Sequence, residues 1–204
     1  DEGAANIAGQ DAVSRQIDDG RACGVSAFTV HVPRIGAGMM FAVDGAPTAA
    51  WSMFLDCYET LFREVVAAGI IVSIENIHNQ PGTPADRANR EFATEIGEYL
   101  GWIDAVTGRL NASTRQVGAH FDVGHGRNNG ALGNLQPLGD WYARIGSRTT
   151  GYHVHQVRPH EDTGKLINHR EIRSMYDRTI SYAGFLHAWS RRVLNRAPLF
   201  IEVR

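Results

Sequence analysis

Residues 70–75 read Ile70-Ile71-Val72-Ser73-Ile74-Glu75, an apolar, β-branched run closed by a carboxylate. A nearly continuous Ile/Val run fits a strand covered on both faces of a parallel sheet. The same plan recurs on either side of it. Thr29-Val30-His31, His120-Phe121-Asp122, His153-Val154-His155 and Phe200-Ile201-Glu202 each end an apolar segment on an imidazole or a carboxylate. Side chains alternate between faces along a strand, so His31, Glu75, Asp122, His155 and Glu202 take corresponding places near five C-terminal strand ends. Parallel barrels carry their chemistry on that rim. The pattern suits a metal centre better than a purely structural sheet.

Helical and strand patterns alternate along the chain. A helix is expected over Ile7–Ala22, then a strand over Val25–Val32 that Pro33 ends, then a Gly-rich loop from Ile35 to Ala50. Trp51, Phe54, Leu55, Tyr58, Leu61, Phe62, Val65 and Val66 repeat at three and four residues, a helix that Gly69 closes. Helical pattern returns from Pro84 to Leu110, with Thr83 placed to cap it. Strands are expected over Val117–Val123, Gly151–Val157 and Leu199–Val203, and helices over Leu138–Ile145 and Ser174–Asn195. Strand–helix–strand alternation implies right-handed crossovers and a parallel sheet. A doubly wound open sheet is the rival, but no Gly-rich phosphate loop follows a first strand.

The expected fold is therefore an α/β (β/α)8 barrel, one domain over residues 1–204. An eight-stranded barrel usually takes about 250 residues, and five strands cannot close one. The chain reads as the later part of such a barrel, with about three strands missing at its start.

Composition excludes little and suggests a water-exposed globule. Hydrophobic residues make up 43% and charged ones 21%, and the net charge of −2 offers no argument for nucleic acid. No apolar run reaches the ~20 residues of a membrane helix, and no basic-then-apolar secretory signal is seen. Cys23 and Cys57 are the only cysteines, which fits a reduced, cytoplasmic protein better than a disulfide framework.

Ile74-Glu75-Asn76, Phe121-Asp122-Val123-Gly124-His125, His153-Val154-His155-Gln156 and Phe200-Ile201-Glu202 together resemble the xylose-isomerase-like barrel superfamily. That group includes sugar isomerases, ketose 3-epimerases, inosose dehydratases and apurinic endonucleases. The resemblance runs from the first helix to the last residue and matches the family's fourth to eighth strands in order. It implies a divalent-metal-dependent sugar isomerase or epimerase. Its single cation would be held by Glu75, Asp122, His155 and Glu202. Three oxygens and one imidazole suit Mn2+, Mg2+ or Co2+, with Zn2+ also compatible. Such an ion polarises a substrate carbonyl and stabilises the enediolate formed on proton loss. Glu75 and Glu202 would be the catalytic pair that removes and returns the proton. His125 falls where the family contacts substrate oxygen, and His31 is placed for substrate contact or barrel packing. The epimerases carry an arginine a few residues after the metal histidine. This chain has Asp162 in that stretch, with Arg158 nearer as a substitute.

The alternatives are an inosose-dehydratase-type lyase and a zinc phosphodiesterase of the apurinic endonuclease type. For the second, His31 matches a histidine of a three-zinc site and His169 falls near another, although Ile167 stands where that branch has an aspartate. The implied partner is a small sugar, with no nucleic acid and no membrane, and self-association through rim loops is an expectation. His153 and His155 share a face, and His155, nearer the strand end, is the preferred ligand. His153 is then a packed supporting group, and His120 a structural one beneath Asp122. His78, His160 and His187 read as ordinary loop or helix residues. Arg127, Asn128 and Asn129 sit where they could meet substrate hydroxyls.

Overall fold

The apolar runs become parallel strands in chain order. The structure is a computed structural model that describes residues 14–79, 83–128 and 136–203. Its strands are β1 (Ala27–His31), β2 (Ile71–Glu75), β3 (Val117–Asp122), β4 (Thr149–Val154), β5 (Gln156–Pro159), β6 (Leu166–Arg170) and β7 (Leu199–Ile201). A parallel sheet takes the order β1-β2-β3-β4-β7, and β5 and β6 pair separately as an antiparallel hairpin. This is five strands of a barrel wall. Among the described residues β1 and β7 are its edges, so the sheet is open and eight-stranded closure is not seen.

Helices fill the crossovers: α1 (14–22), α2 (Ala37–Met40), α3 (Ala49–Ala67), α4 (Ile96–Leu110), α5 (Val123–Arg127), α6 (Leu138–Ile145) and α7 (Tyr182–Ser190). The 3.6-residue stripe of α3 turns Leu55, Phe62 and Val65 inward. Across from it α4 buries Tyr99, Trp102, Ile103 and Val106. Trp102 is fully buried and meets Trp51 edge-on at 5.1 Å and Tyr58 at 5.3 Å. Each such side chain contributes about 1.5–3 kcal/mol by leaving water. Asn111, in the left-handed region at φ 49°, ends α4.

Four expected elements differ in extent or burial. The helix expected from Pro84 begins only at Ile96, because residues 84–95 wrap around the buried guanidinium of Arg90. That group hydrogen-bonds Glu98 at 2.6 and 2.5 Å, and Ala93 adopts φ 58°, which no helix continues. The last helix is shorter too. Ser181 caps α7 by accepting from Gly184 N–H, and Asp177 before it is tied to Arg158. The strand expected through Val157 breaks at His155, which stands between β4 and β5. Glu202 follows β7, whose Phe200 and Ile201 are 52% and 72% exposed, an edge rather than the buried strand expected. Cys23 and Cys57 are exposed and unpaired. No helix among the described residues is long and apolar enough to cross a membrane.

Candidate metal centre

Carboxylates and imidazoles at the ends of all five parallel strands meet at the C-terminal rim. Glu75 closes β2 and Asp122 closes β3, with 3% and 0% of their surface exposed. Burying a carboxylate is costly unless it is partnered, and both are densely partnered. His153 donates Nδ1–H to Glu75 Oε1 at 3.0 Å and lies 3.4 Å from Glu202 Oε2. His155, fully buried, points Nε2 at both Asp122 oxygens, at 3.0 and 3.2 Å. His125 Nδ1 is 3.4 Å from Asp122 and 3.8 Å from Glu75. His31 Nε2 approaches Glu75 at 3.7 Å, and His169 Nε2 approaches Glu202 at 3.3 Å.

Two sets of donor atoms at the rim gather within 4.8 Å of one another around Asp122. One is Glu75, Asp122, His153 and Glu202, and the other is Asp122, His125, His155 and His169. Of the four ligands expected from sequence, the three carboxylates thus share one group, with His153 inside it. His155 joins them through Asp122. Arg158 is engaged elsewhere, with Asp177 at 3.3 Å and the Glu171 carbonyl at 3.2 Å. Arg127 donates to the Thr179 carbonyl, Asn128 donates to Asn168, and Asn129 lies outside the described residues.

Local sequence explains the placement. Asp122 caps α5 by accepting from His125 N–H at 2.8 Å, and that turn brings His125 back over the rim. Asn76, one residue past Glu75, donates to the Asp122 carbonyl and accepts from its N–H, locking the two strand ends together. Asn76→Ala would leave both backbone groups buried without partners. A loss of roughly 2–4 kcal/mol is expected, read from urea unfolding; a loss below the error of that measurement would dismiss the lock. Gly124 is required by close approach, since a Cβ there would overlap the His155 ring.

The field of the site polarises its members. Burial works to raise the Asp122 carboxyl, but His125 and the bonds from His155 outweigh it and hold it well below the usual carboxylate range. Burial likewise disfavours charged His155 and His153, yet Asp122 and Glu75 pull their pKa values up. His120 and His78 lack such a partner, and burial drives each down to about 4. His155 Nδ1 sits 2.9 Å from His169 N–H and 3.2 Å from the Gln156 carbonyl, so either tautomer is satisfied there. Its Nε2 can therefore donate to Asp122 or bind a cation without stranding the other nitrogen. The residues present fit a divalent ion.

His78 and His169 carry more of the rim than their sequence suggests. His78 meets the His125 ring at a centroid distance of 4.8 Å, tilted by 36°, and meets Asn168 at 3.1 Å, and no strand or helix periodicity marks it. His169 arrives on the antiparallel hairpin with φ 58°, outside the parallel pattern. A cavity of about 430 Å3 opens beside it, lined by His78, Asn128, His160, Lys165 and Asn168.

No family model matches the chain, and no curated protein sequence does. Solved structures do. A D-allulose 3-epimerase from Methylomonas sp. superposes with a TM-score of 0.58 at 16% identity, over 96% of this chain and 56% of its own. A xylose isomerase domain protein from Planctomyces limnophilus gives 0.58 at 14%, over 95% and 58%. The IolI protein, solved with a bound zinc atom, gives 0.61 at 12%, over 100% and 62%. The chain has the xylose-isomerase-like fold. It spans less than two thirds of these xylose-isomerase-like proteins, and at such identity the likeness is one of fold.

Proposed function

We propose that the chain belongs to a divalent-metal-dependent sugar isomerase or epimerase, its ion held by Glu75, Asp122, His155 and Glu202. The observation that carries this reading is the meeting of three buried or half-buried carboxylates from separate strands, with His155 Nε2 aimed at the central one. Like charges this close repel unless a cation or protons lie among them. His155 is preferred to His153 because both of its tautomers are supported at Nδ1, whereas His153 leans over His120 in the layer below. A divalent ion there would supply Lewis acidity toward a substrate carbonyl and its neighbouring hydroxyl.

The residues do the rest. Glu75 removes the proton α to the carbonyl, and Glu202 returns one to the opposite face or the neighbouring carbon. His125, which donates Nδ1–H to the Asn76 carbonyl at 3.0 Å, is fixed to offer its other edge to a substrate oxygen. The cavity lined by His78, Asn128 and Lys165 has room for a small sugar and polar groups for its hydroxyls. The substrate class is a small ketose, aldose or related polyol carbonyl compound, and Mn2+, Mg2+, Co2+ or Zn2+ would serve. The test is elemental analysis of the purified protein, followed by a ketose panel in D2O. Solvent deuterium entering a sugar, lost on chelation and restored by metal, is expected; no exchange into any sugar with metal bound would reject the reading. Loss of water from an inosose in the same panel would assign the dehydratase branch.

A second reading rests on His31 and His169, which reach toward Glu75 and Glu202 and would extend the centre to several zinc ions. It predicts cleavage of a duplex bearing an abasic site.

A further inference from the structure

Beneath the rim the barrel interior holds a polar layer that the proposed reaction does not use. His120, two residues before Asp122, is 1% exposed, and its Nε2 is buried without a hydrogen-bond partner among the described residues. Its other nitrogen is served. Nδ1 lies 3.3 Å from Thr29 Oγ1 and 3.4 Å from Ser73 Oγ, and Ser73 is held in turn by Thr150 Oγ1 at 2.6 Å. The ring meets His153 at a centroid distance of 4.3 Å, inclined by 68°. Gly151 makes room for it, because a Cβ there would fall 2.6 Å from His120 Nδ1. Glu75, His120 and His153 each bring a ligand atom within 4.8 Å of the others.

We propose that this layer is a second cation site, held by Glu75, His120 and His153, with Glu75 bridging it to the ion at the rim. The proposal rests on the rim reading only for that bridge. A neutral imidazole that donates Nδ1–H to a hydroxyl keeps its lone pair on Nε2. Here that lone pair is buried and has no hydrogen-bond partner among the described residues, which carries a desolvation penalty. A cation removes the penalty. The arrangement also meets the usual requirement that a ligating histidine donate its other N–H to a fixed partner. Thr29 and Ser73 are that partner. Two imidazoles and one carboxylate form a nitrogen-rich set that favours Zn2+ over Mg2+ or Mn2+. The rim, with three carboxylates, is oxygen-rich. The two positions therefore select different metals, and two ions sharing a carboxylate would stand about 3.5–4 Å apart.

The test uses the purified chain equilibrated with Zn2+, counted by elemental analysis and located by anomalous scattering at the zinc edge in crystals. The expected result is an anomalous peak among Glu75, His120 and His153, and one ion fewer per chain in His120→Ala with any rim peak retained. Asp122→Asn should remove the rim peak and leave the inner one. Equal zinc counts in wild type and a folded His120→Ala overturn the proposal, as does a wild-type map with no inner peak. If His120→Ala does not fold, that wild-type map alone decides. A wild-type map with an inner peak and no rim peak would instead count against the isomerase reading, so the two failures are distinguishable.

Discussion

On the proposed reading, changing Glu75 to Gln is expected to lower ketose turnover by about 10²–10⁴-fold. The substitution keeps size and shape, so the core around this 3% exposed side chain is not disturbed. An amide cannot take a proton from carbon, whereas the carboxylate faces the rim with His31, His125 and His153 around it. The amide oxygen would remain a neutral ligand atom, and Asp122, His155 and Glu202 would keep the proposed rim ion. Deuterium exchange from D2O into substrate, measured beside metal content, separates the two roles. Undiminished exchange with metal bound would refute the base assignment. Loss of the metal together with exchange would make Glu75 a ligand before it is a base.

The second large effect concerns folding. Glu98→Ala is expected to cost about 3–5 kcal/mol, because it takes from the Arg90 guanidinium, only 2% exposed, its buried carboxylate and leaves only the half-exposed Glu95 at 3.5 Å. Glu98 accepts two short bonds from Arg90 and one from Ala93 N–H at 3.3 Å, so its loss also frees the turn that starts α4. Urea unfolding monitored through the tryptophans reads the change. Replacing both partners by apolar residues of similar volume should recover most of the loss, since an absent pair leaves no charge uncompensated. A double variant no more stable than Glu98→Ala would mean that the pair acts through loop geometry and not through charge.

Much of the wall was legible because its signals are local. Ile71–Ile74 and Val117–Phe121 are apolar runs that read as strands and are strands, and the carboxylates behind them reach the rim as strand geometry requires. The parts that escaped depend on distant contacts. Residues 84–95 have helical composition, but the buried Arg90–Glu98 pair outweighs a propensity of a few tenths of a kcal/mol per residue. The hairpin of β5 and β6 follows β4 after only His155, so no loop signal announces it, and it alone delivers His169. Strand periodicity puts His153 and His155 on one face without dividing their work. The difference lies in their neighbours, Glu75 and Glu202 for one and Asp122 for the other.

β7 pairs with β4 on one side alone among the described residues, and it leads directly into Glu202. A strand laced along a single border opens more readily than its doubly laced neighbours, because fewer backbone bonds must break together. The rim thus draws one of its acids from a board at the wall's border. An ion gripping Glu202 together with Glu75 and Asp122 would stitch that board to β2 and β3, so the wall's firmness would rise and fall with the metal supply.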